Sequence, residues 1–332
     1  MLKAVFRKFK DLRILSSATN SDFKGEINRM ELSGMSYGLV SNNNVSLFTT
    51  INLLDDFDNA YPLAVLDASC FEIIEQNDDQ SKSVAKILSV TPVDEETKMR
   101  IILAIDCSTS MNKNNKIYLA KEASKALVDS LLSLKLNIDI EIAVFPFSSL
   151  NVEGFINFGN KRIWSRSVEE LSKAIDSITA KGDTPLRDAL NLGLTVIEKF
   201  EGYKQIICLS DGADNMSGID FDQIYDRARR SNTPIYTVGY GQDEYLQFLV
   251  NISELTGAGG KNIGSFMKIS PENLKGVFSY LSSTINHAYH IRWEPTNYLR
   301  GRERFFNMNV TYKTESSGDV HIAFVNLRYK MI

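Results

Sequence analysis

No stretch of this 332-residue chain stays apolar for the ~18 residues that a membrane-crossing helix needs, so a bilayer-spanning helix is not expected. Cysteine is scarce, with Cys70, Cys107 and Cys208 the whole supply. Three thiols cannot build a disulfide scaffold, and a reducing compartment is permitted. Neither sign of charge is in excess: 37 Lys plus Arg face 41 Asp plus Glu, a formal net charge of -4. A general nucleic-acid binder needs a dense basic face to release counterions, and this near-balance argues against one. Histidine is confined to His287, His290 and His321, beyond the chemistry described below, so a zinc site of the usual His and Cys type is not expected. Internal repeats, low-complexity segments and a Walker-type lysine loop are missing as well. The glycine clusters Gly239-Tyr240-Gly241 and Gly257-Ala258-Gly259-Gly260 do not follow a first strand with dinucleotide-binding spacing, and read as ends of strands and helices.

What remains is ordinary globular chemistry, 43% hydrophobic and 23% charged, in a length suited to one large domain or a domain with a smaller companion. Met1 to Ile14 mixes Lys3, Arg7, Lys8, Lys10 and Arg13 with Leu2, Val5, Phe6, Phe9 and Leu12. It lacks the unbroken apolar stretch of a secretory signal. A leader strand or terminus with solvated charges is the preferred reading, and a short basic amphipathic helix on a membrane or partner is the alternative. The expected compartment is therefore cytoplasmic, with an exported or cell-surface protein as the alternative.

Period-two alternation dominates both ends. Val45, Leu47, Thr49, Ile51 and Leu53 alternate with polar residues, and apolar runs follow at 63–66, 71–74 and 84–90. Towards the end, Tyr289, Ile291 and Trp293 alternate, then Phe306, Met308, Val310 and Tyr312, then Val320, Ile322 and Phe324, with Ser317-Gly318-Asp319 as a turn. These patterns predict half-buried antiparallel strands.

The middle alternates strand-like runs with helical patterns. Runs at 100–106, 138–147, 205–209 and 234–238 are separated by helices over about 116–134, from Ser167, after Pro185, over about 221–230 and over 244–255. Ser167 with Glu170 predicts a capping box, and Ser270-Pro271 a cap followed by proline at the start of the last helix. Alternating strands and helices predict an α/β fold with a doubly wound, mostly parallel, Rossmann-like sheet. Residues 98–286 form this unit. The flanks, 1–97 and 287–332, are each too small for a comfortable independent sandwich and are expected to combine into one β-sandwich, into which the α/β unit is inserted. Two separate small domains are the alternative.

Ligands of open parallel sheets collect at the carboxyl ends of the strands. Three loops there are rich in oxygen donors: Asp106-Cys107-Ser108-Thr109-Ser110-Met111, Lys181-Gly182-Asp183-Thr184-Pro185-Leu186 and Ser210-Asp211-Gly212-Ala213-Asp214. Together they resemble the von Willebrand factor type A domain and its metal-ion-dependent adhesion site. That motif is Asp-x-Ser-x-Ser after the first strand, Thr on a middle loop and Asp after a later strand. Asp106, Ser108, Ser110, Thr184 and Asp211 fill those positions in order. Thr109 stands where many bacterial members have Gly, at a place that is not a family ligand.

The resemblance implies a bound divalent cation, Mg²⁺ or else Mn²⁺ or Ca²⁺. The oxygen donors suit a hard ion that accepts hydroxyl, carboxylate and water ligands. Where hydroxyls bind directly and the aspartates through water, the ion stays under-neutralised and attracts a carboxylate. The implied function is a non-enzymatic, metal-dependent protein–protein interaction module, used in adhesion or complex assembly, whose protein partner supplies an Asp or Glu. Each residue also has a plainer reading: Thr184 as a helix N-cap, Ser108 and Ser110 as caps of the next helix, Asp211-Gly212 as a turn. Asp183 and Asp214 are candidates for supporting the ligands.

Two other functions compete. In a structural scaffold the metal only ties loops together. An aspartate-based phosphohydrolase would use Asp106 as nucleophile, but its usual second acid two residues later is replaced by Ser108.

Overall fold

The computed structural model describes residues 27–330 except 42–43, 56–59, 63–65, 78–79, 94–96, 134–137, 150–153, 241–242, 260–262, 268–270, 297–302 and 314–319. The basic stretch 1–14, the turn at 317–319 and Ser270 of the last helix cap lie outside the described residues.

Five parallel strands form the central sheet: β7 (Lys98–Asp106), β8 (Asp139–Phe147), β9 (Tyr203–Ser210), β10 (Ile235–Gly239) and β11 (Ser265–Met267), in the order β11-β10-β9-β7-β8. Their parallel registers run from Met99 opposite Tyr203 through Ile105 opposite Leu209. The segment around Ser165 covers the β8 edge through a bridge with Ile142. Strand β7 reads as an unbroken apolar run because it is buried on both faces. Ile101, Leu103 and Ile105 meet α1 (Lys116–Ser133), α2 (Val168–Ser177) and α6 (Pro271–Asn286). Ile102 and Ala104 meet α3 (Leu186–Ile197), α4 (Phe221–Ser231) and α5 (Asp243–Leu255). Three helices on each face give the doubly wound α/β architecture.

The flanks do combine. One antiparallel sheet has the order β1-β2-β12-β6, from β1 (Ile27–Ser41), β2 (Asn44–Asp55), β12 (Tyr289–Glu294) and β6 (Lys86–Pro92), with β3 (Ala60–Pro62) beside β2. The other runs β14-β13-β4-β5, from β14 (Val320–Lys330), β13 (Glu303–Lys313), β4 (Phe71–Gln76) and β5 (Lys82–Val84). Each sheet mixes strands from before and after the α/β unit, and both feed one core that includes Leu47, Ile51, Ile73, Trp293 and Met308.

Two local expectations change. Strand β2 is buried along both faces rather than half-buried. Its odd positions enter the sandwich core, while Phe48 belongs to the α/β core and stacks on Tyr203 at 5.3 Å between ring centroids. Thr50 donates to the Thr284 carbonyl of α6 at 2.6 Å, and Tyr280 of α6 donates to Asn52 at 3.1 Å. The capping box at α2 is half formed. Ser167 Oγ accepts from Glu170 N at 3.2 Å, but the Glu170 carboxylate turns to Arg162 and Ser165 instead of returning to the cap.

Candidate metal site

Strands β7 and β9 lie side by side, so Asp106 at one end and Ser210-Asp211 at the other emerge together. Asp106 is fully buried. Its Oδ1 accepts from Ser108 N at 2.9 Å and its Oδ2 accepts from Ser210 Oγ at 2.7 Å, so both carboxylate oxygens are engaged. Ser210 Oγ in turn accepts from Gly212 N at 3.0 Å. Ser108 Oγ and Ser110 Oγ are 3.0 Å apart. Ser108 opens the 3-10 turn Thr109–Asn115 but makes no side-chain cap bond to it, which removes its plainer reading.

The middle loop is zipped to the first. Thr109 N donates to the Gly182 carbonyl at 2.8 Å, and Lys181 N to the Cys107 carbonyl at 2.7 Å. It is tied to the third loop by a reciprocal pair, Thr184 N to Asn215 Oδ1 at 2.9 Å and Asn215 N to the Thr184 carbonyl at 3.2 Å. Pro185, not Thr184, is the N-cap residue of α3. The Thr184 hydroxyl is 3% exposed as a residue and makes no hydrogen bond among the described residues. Thus hydrogen bonds link Asp106 to Ser108 and Ser108 to Ser110, Asp211 follows Ser210, which donates to Asp106, and Thr184 is tied through its backbone to Asn215 of the third loop.

Burial pushes the Asp106 carboxyl up to about 6. The bonds from Ser210 and Ser108 oppose the rise, and the neighbouring Asp211 charge adds to it. Asp211 Oδ2 accepts from Lys116 Nζ at 2.9 Å, whereas its buried Oδ1 has no hydrogen-bond partner among the described residues. A buried carboxylate oxygen left without a donor is costly unless something supplies positive charge.

Asp214 turns out to be a brace. Burial raises its pKa, but bonds from Arg187 and Ser217 outweigh that and hold it below the usual carboxylate range. Asp183 accepts from Asn215 Nδ2 at 3.3 Å through its side chain and from Ser149 N at 2.9 Å through its carbonyl. Sequence reasoning missed Ser210, Asn215 and Lys116. Only Lys116 left a signal, a cation on the first turn of a helix, where the macrodipole disfavours it. Cys107 and Cys208 are packing residues, buried with thiol acidity weakened by burial. His290 stacks on Phe48 at 4.5 Å and His287 bonds the Ser283 carbonyl at 2.8 Å, both structural roles.

Among the described residues no group of three or more His, Cys, Asp or Glu side chains gathers to hold a metal. A cation here has to rely on two carboxylates, three hydroxyls and water, an all-oxygen set suited to Mg²⁺-like ions and unsuited to soft ones. The orphaned Asp211 Oδ1 and the unbonded Thr184 hydroxyl fit that chemistry.

The family model of the von Willebrand factor type A domain matches residues 101–276. Among solved structures, the vWF domain of the type V pili tip protein Mfa5 from Porphyromonas gingivalis is similar at a TM-score of 0.45 and 14% identity, over 57% of this chain and 95% of that one. A von Willebrand factor type A protein from Catenulispora acidiphila gives 0.45 and 13%, over 93% and 76%. The pilus adhesin SpaC from Lactobacillus rhamnosus GG gives 0.44 and 11%, over 93% and 50%. No curated protein matches the chain.

Proposed function

The chain belongs to the von Willebrand factor type A domain family, and from that premise we propose that it is a non-enzymatic protein-binding module whose contact with its partner runs through a divalent cation. The observation that carries the proposal is Asp211 Oδ1, buried just after β9 and without a hydrogen-bond partner among the described residues, next to Ser210, which donates to Asp106. Asp106, Ser108, Ser110, Thr184 and Asp211 would hold the ion, Mg²⁺ or else Mn²⁺ or Ca²⁺. When bound, the ion supplies a Lewis-acidic position for an Asp or Glu of the partner. The chain's part is to keep that position rigid. Asp106 is fixed at both oxygens, Thr184 is held by Asn215, and the loop after Asp211 is braced by Asp214 on Arg187 N and Nε at 2.9 and 3.0 Å. A site fixed before the partner arrives loses less conformational entropy on binding.

The phosphohydrolase alternative fares poorly against the geometry. Both Asp106 oxygens accept hydrogen bonds in a fully buried position, which is the wrong setting for a nucleophile, and no second acid stands at position 108. In the scaffold alternative the ion only fastens loops. The two are separated by Mn²⁺ calorimetry together with affinity capture in Mg²⁺ and in chelator. The proposal expects cation binding, and partners eluted by chelator while the circular dichroism stays native. Cation binding with partners retained in chelator supports the scaffold reading, and no cation binding overturns both.

A further inference from the structure

Lys116 is a cation in the wrong place by local rules. It is the first residue of α1, whose first turn holds no acidic residue, so its charge opposes the helix macrodipole. Its side chain is only 16% exposed. Side chains on a helix lean toward its N-terminus, and this one leans onto the end of β9, where Nζ lies 2.9 Å from Asp211 Oδ2. Asp211 is 5% exposed at its side chain, so the pair is largely desolvated. Where a sequence breaks a local preference and buries a charge, a specific compensating role is expected.

Two carboxylates, Asp106 and Asp211, lie close enough for their charges to repel one another. Lys116 bonds one oxygen of Asp211 and leaves the other unpartnered. We propose that Lys116 is the built-in counter-cation of the metal site: it balances Asp211 when no divalent ion is bound, and its charge holds divalent-cation affinity down when one is. The inference rests on the metal reading given above. Physically, one Asp211 carboxylate is shared between a fixed ammonium and a mobile ion. Part of its charge is then already neutralised, and the incoming ion also meets a like charge across the carboxylate. Occupancy would therefore respond to ambient cation concentration instead of being permanent, and the loops would keep their shape without metal.

The test compares the full chain with Lys116→Met and with the charge-preserving Lys116→Arg, using Mn²⁺ calorimetry and thermal denaturation in chelator. Lys116→Met is expected to bind Mn²⁺ at least about tenfold more tightly, about 1.4 kcal/mol, and to melt several degrees lower in chelator. Lys116→Arg is expected to stay within about threefold of the parent affinity. Should Lys116→Met be unfolded in chelator, added Mn²⁺ is expected to restore the native circular dichroism, and failure to do so overturns the proposal. A parent protein that binds Mn²⁺ alongside a Lys116→Met variant of equal or weaker affinity also overturns it, leaving Lys116 a structural ion pair. A parent and a variant that both ignore Mn²⁺ instead remove the metal reading itself, and this proposal with it.

Discussion

Thr184 and Asp106 are both candidate ligands, yet they carry different structural duties. The Thr184 hydroxyl bonds nothing among the described residues and caps no helix, so deleting it breaks no internal interaction. Thr184→Ala also removes a buried γ-methyl and is expected to lower unfolding free energy by only about 1 kcal/mol, while weakening Mn²⁺ binding at least tenfold. Chemical denaturation in chelator beside calorimetry checks both parts. Asp106→Ala is a poorer probe. It removes the acceptor of Ser108 N and Ser210 Oγ from a fully buried position, and stranding those donors costs roughly 1–3 kcal/mol each. It should lose cation binding and stability together.

Lys204 gives a residue-scale prediction that does not depend on metal. Its ammonium is buried at the start of β9, donating to the Phe200 carbonyl at 2.8 Å and the Glu198 carbonyl at 3.3 Å. Desolvation lowers its pKa to about 8, against the pull of Glu201 and Glu198. Below pH 8 folded and unfolded chains are both protonated, and burying the charge destabilises the fold in full. Between about 8 and 10.4 the unfolded chain keeps a proton that the folded chain has released, so this group's contribution rises with pH. The stability advantage of Lys204→Met over the parent should shrink by on the order of 2–3 kcal/mol between pH 7 and pH 10. A gap that widens with pH would refute the assignment.

At the scale of elements, legibility followed burial pattern. Strand β7 was readable because Ile101 to Ile105 face helices on both sides, and α2 because Leu171 and Ala174 repeat on one face. Strand β1, fifteen residues long, was not read at all. Its pairing with β2 shifts register three times, between Ile27 and Arg29, between Ser33 and Ser36 and between Tyr37 and Val40, which destroys a period-two signal. Strand β11 is three residues long, below the length at which any period shows. The five candidate ligands were legible because their spacing is a local property of three loops. Lys116 and Ser210 were not, because their relation to the aspartates exists only once β7, β9 and α1 have packed.

The cause of the β1 irregularity between Ser33 and Ser36 is visible at Gly34, with φ of +63°. A Cβ there would stand 2.5 Å from the Tyr236 hydroxyl and 2.9 Å from that of Tyr203. Both tyrosines are fully buried, and their hydroxyls occupy the space glycine leaves between sandwich and α/β unit. Gly34→Ala combines a left-handed backbone with that overlap and is expected to destabilise by about 2–4 kcal/mol in denaturant titration. Indifference to the substitution would mean that β1 does not seat against β9 and β10 as described.

For the whole molecule, the question is whether sandwich and α/β unit unfold as one. The chain enters the α/β unit from β6 and leaves it through α6 into β12, and β6 and β12 pair with each other. Between the bodies, Phe48 stacks on both Tyr203 and His290, and Thr50 and Asn52 bond to α6. A joint of this kind couples the two parts, because neither can open without exposing the shared aromatic face. The two tryptophans make this measurable: Trp293 is fully buried in the sandwich core, and Trp164 lies beside the parallel sheet with Arg100 over its ring at 4.8 Å. In Trp164→Phe, fluorescence reports the sandwich alone, while helical circular dichroism reports the α/β unit, which holds all six helices among the described residues. The two signals should trace a single coincident transition in denaturant. Adding Phe48→Ala removes the stack at a cost of about 3–5 kcal/mol and should separate them, with the less stable body melting first. Separate transitions before Phe48 is touched would show that the joint transmits little, and that an event at the Asp106 and Asp211 loops stays within the α/β unit.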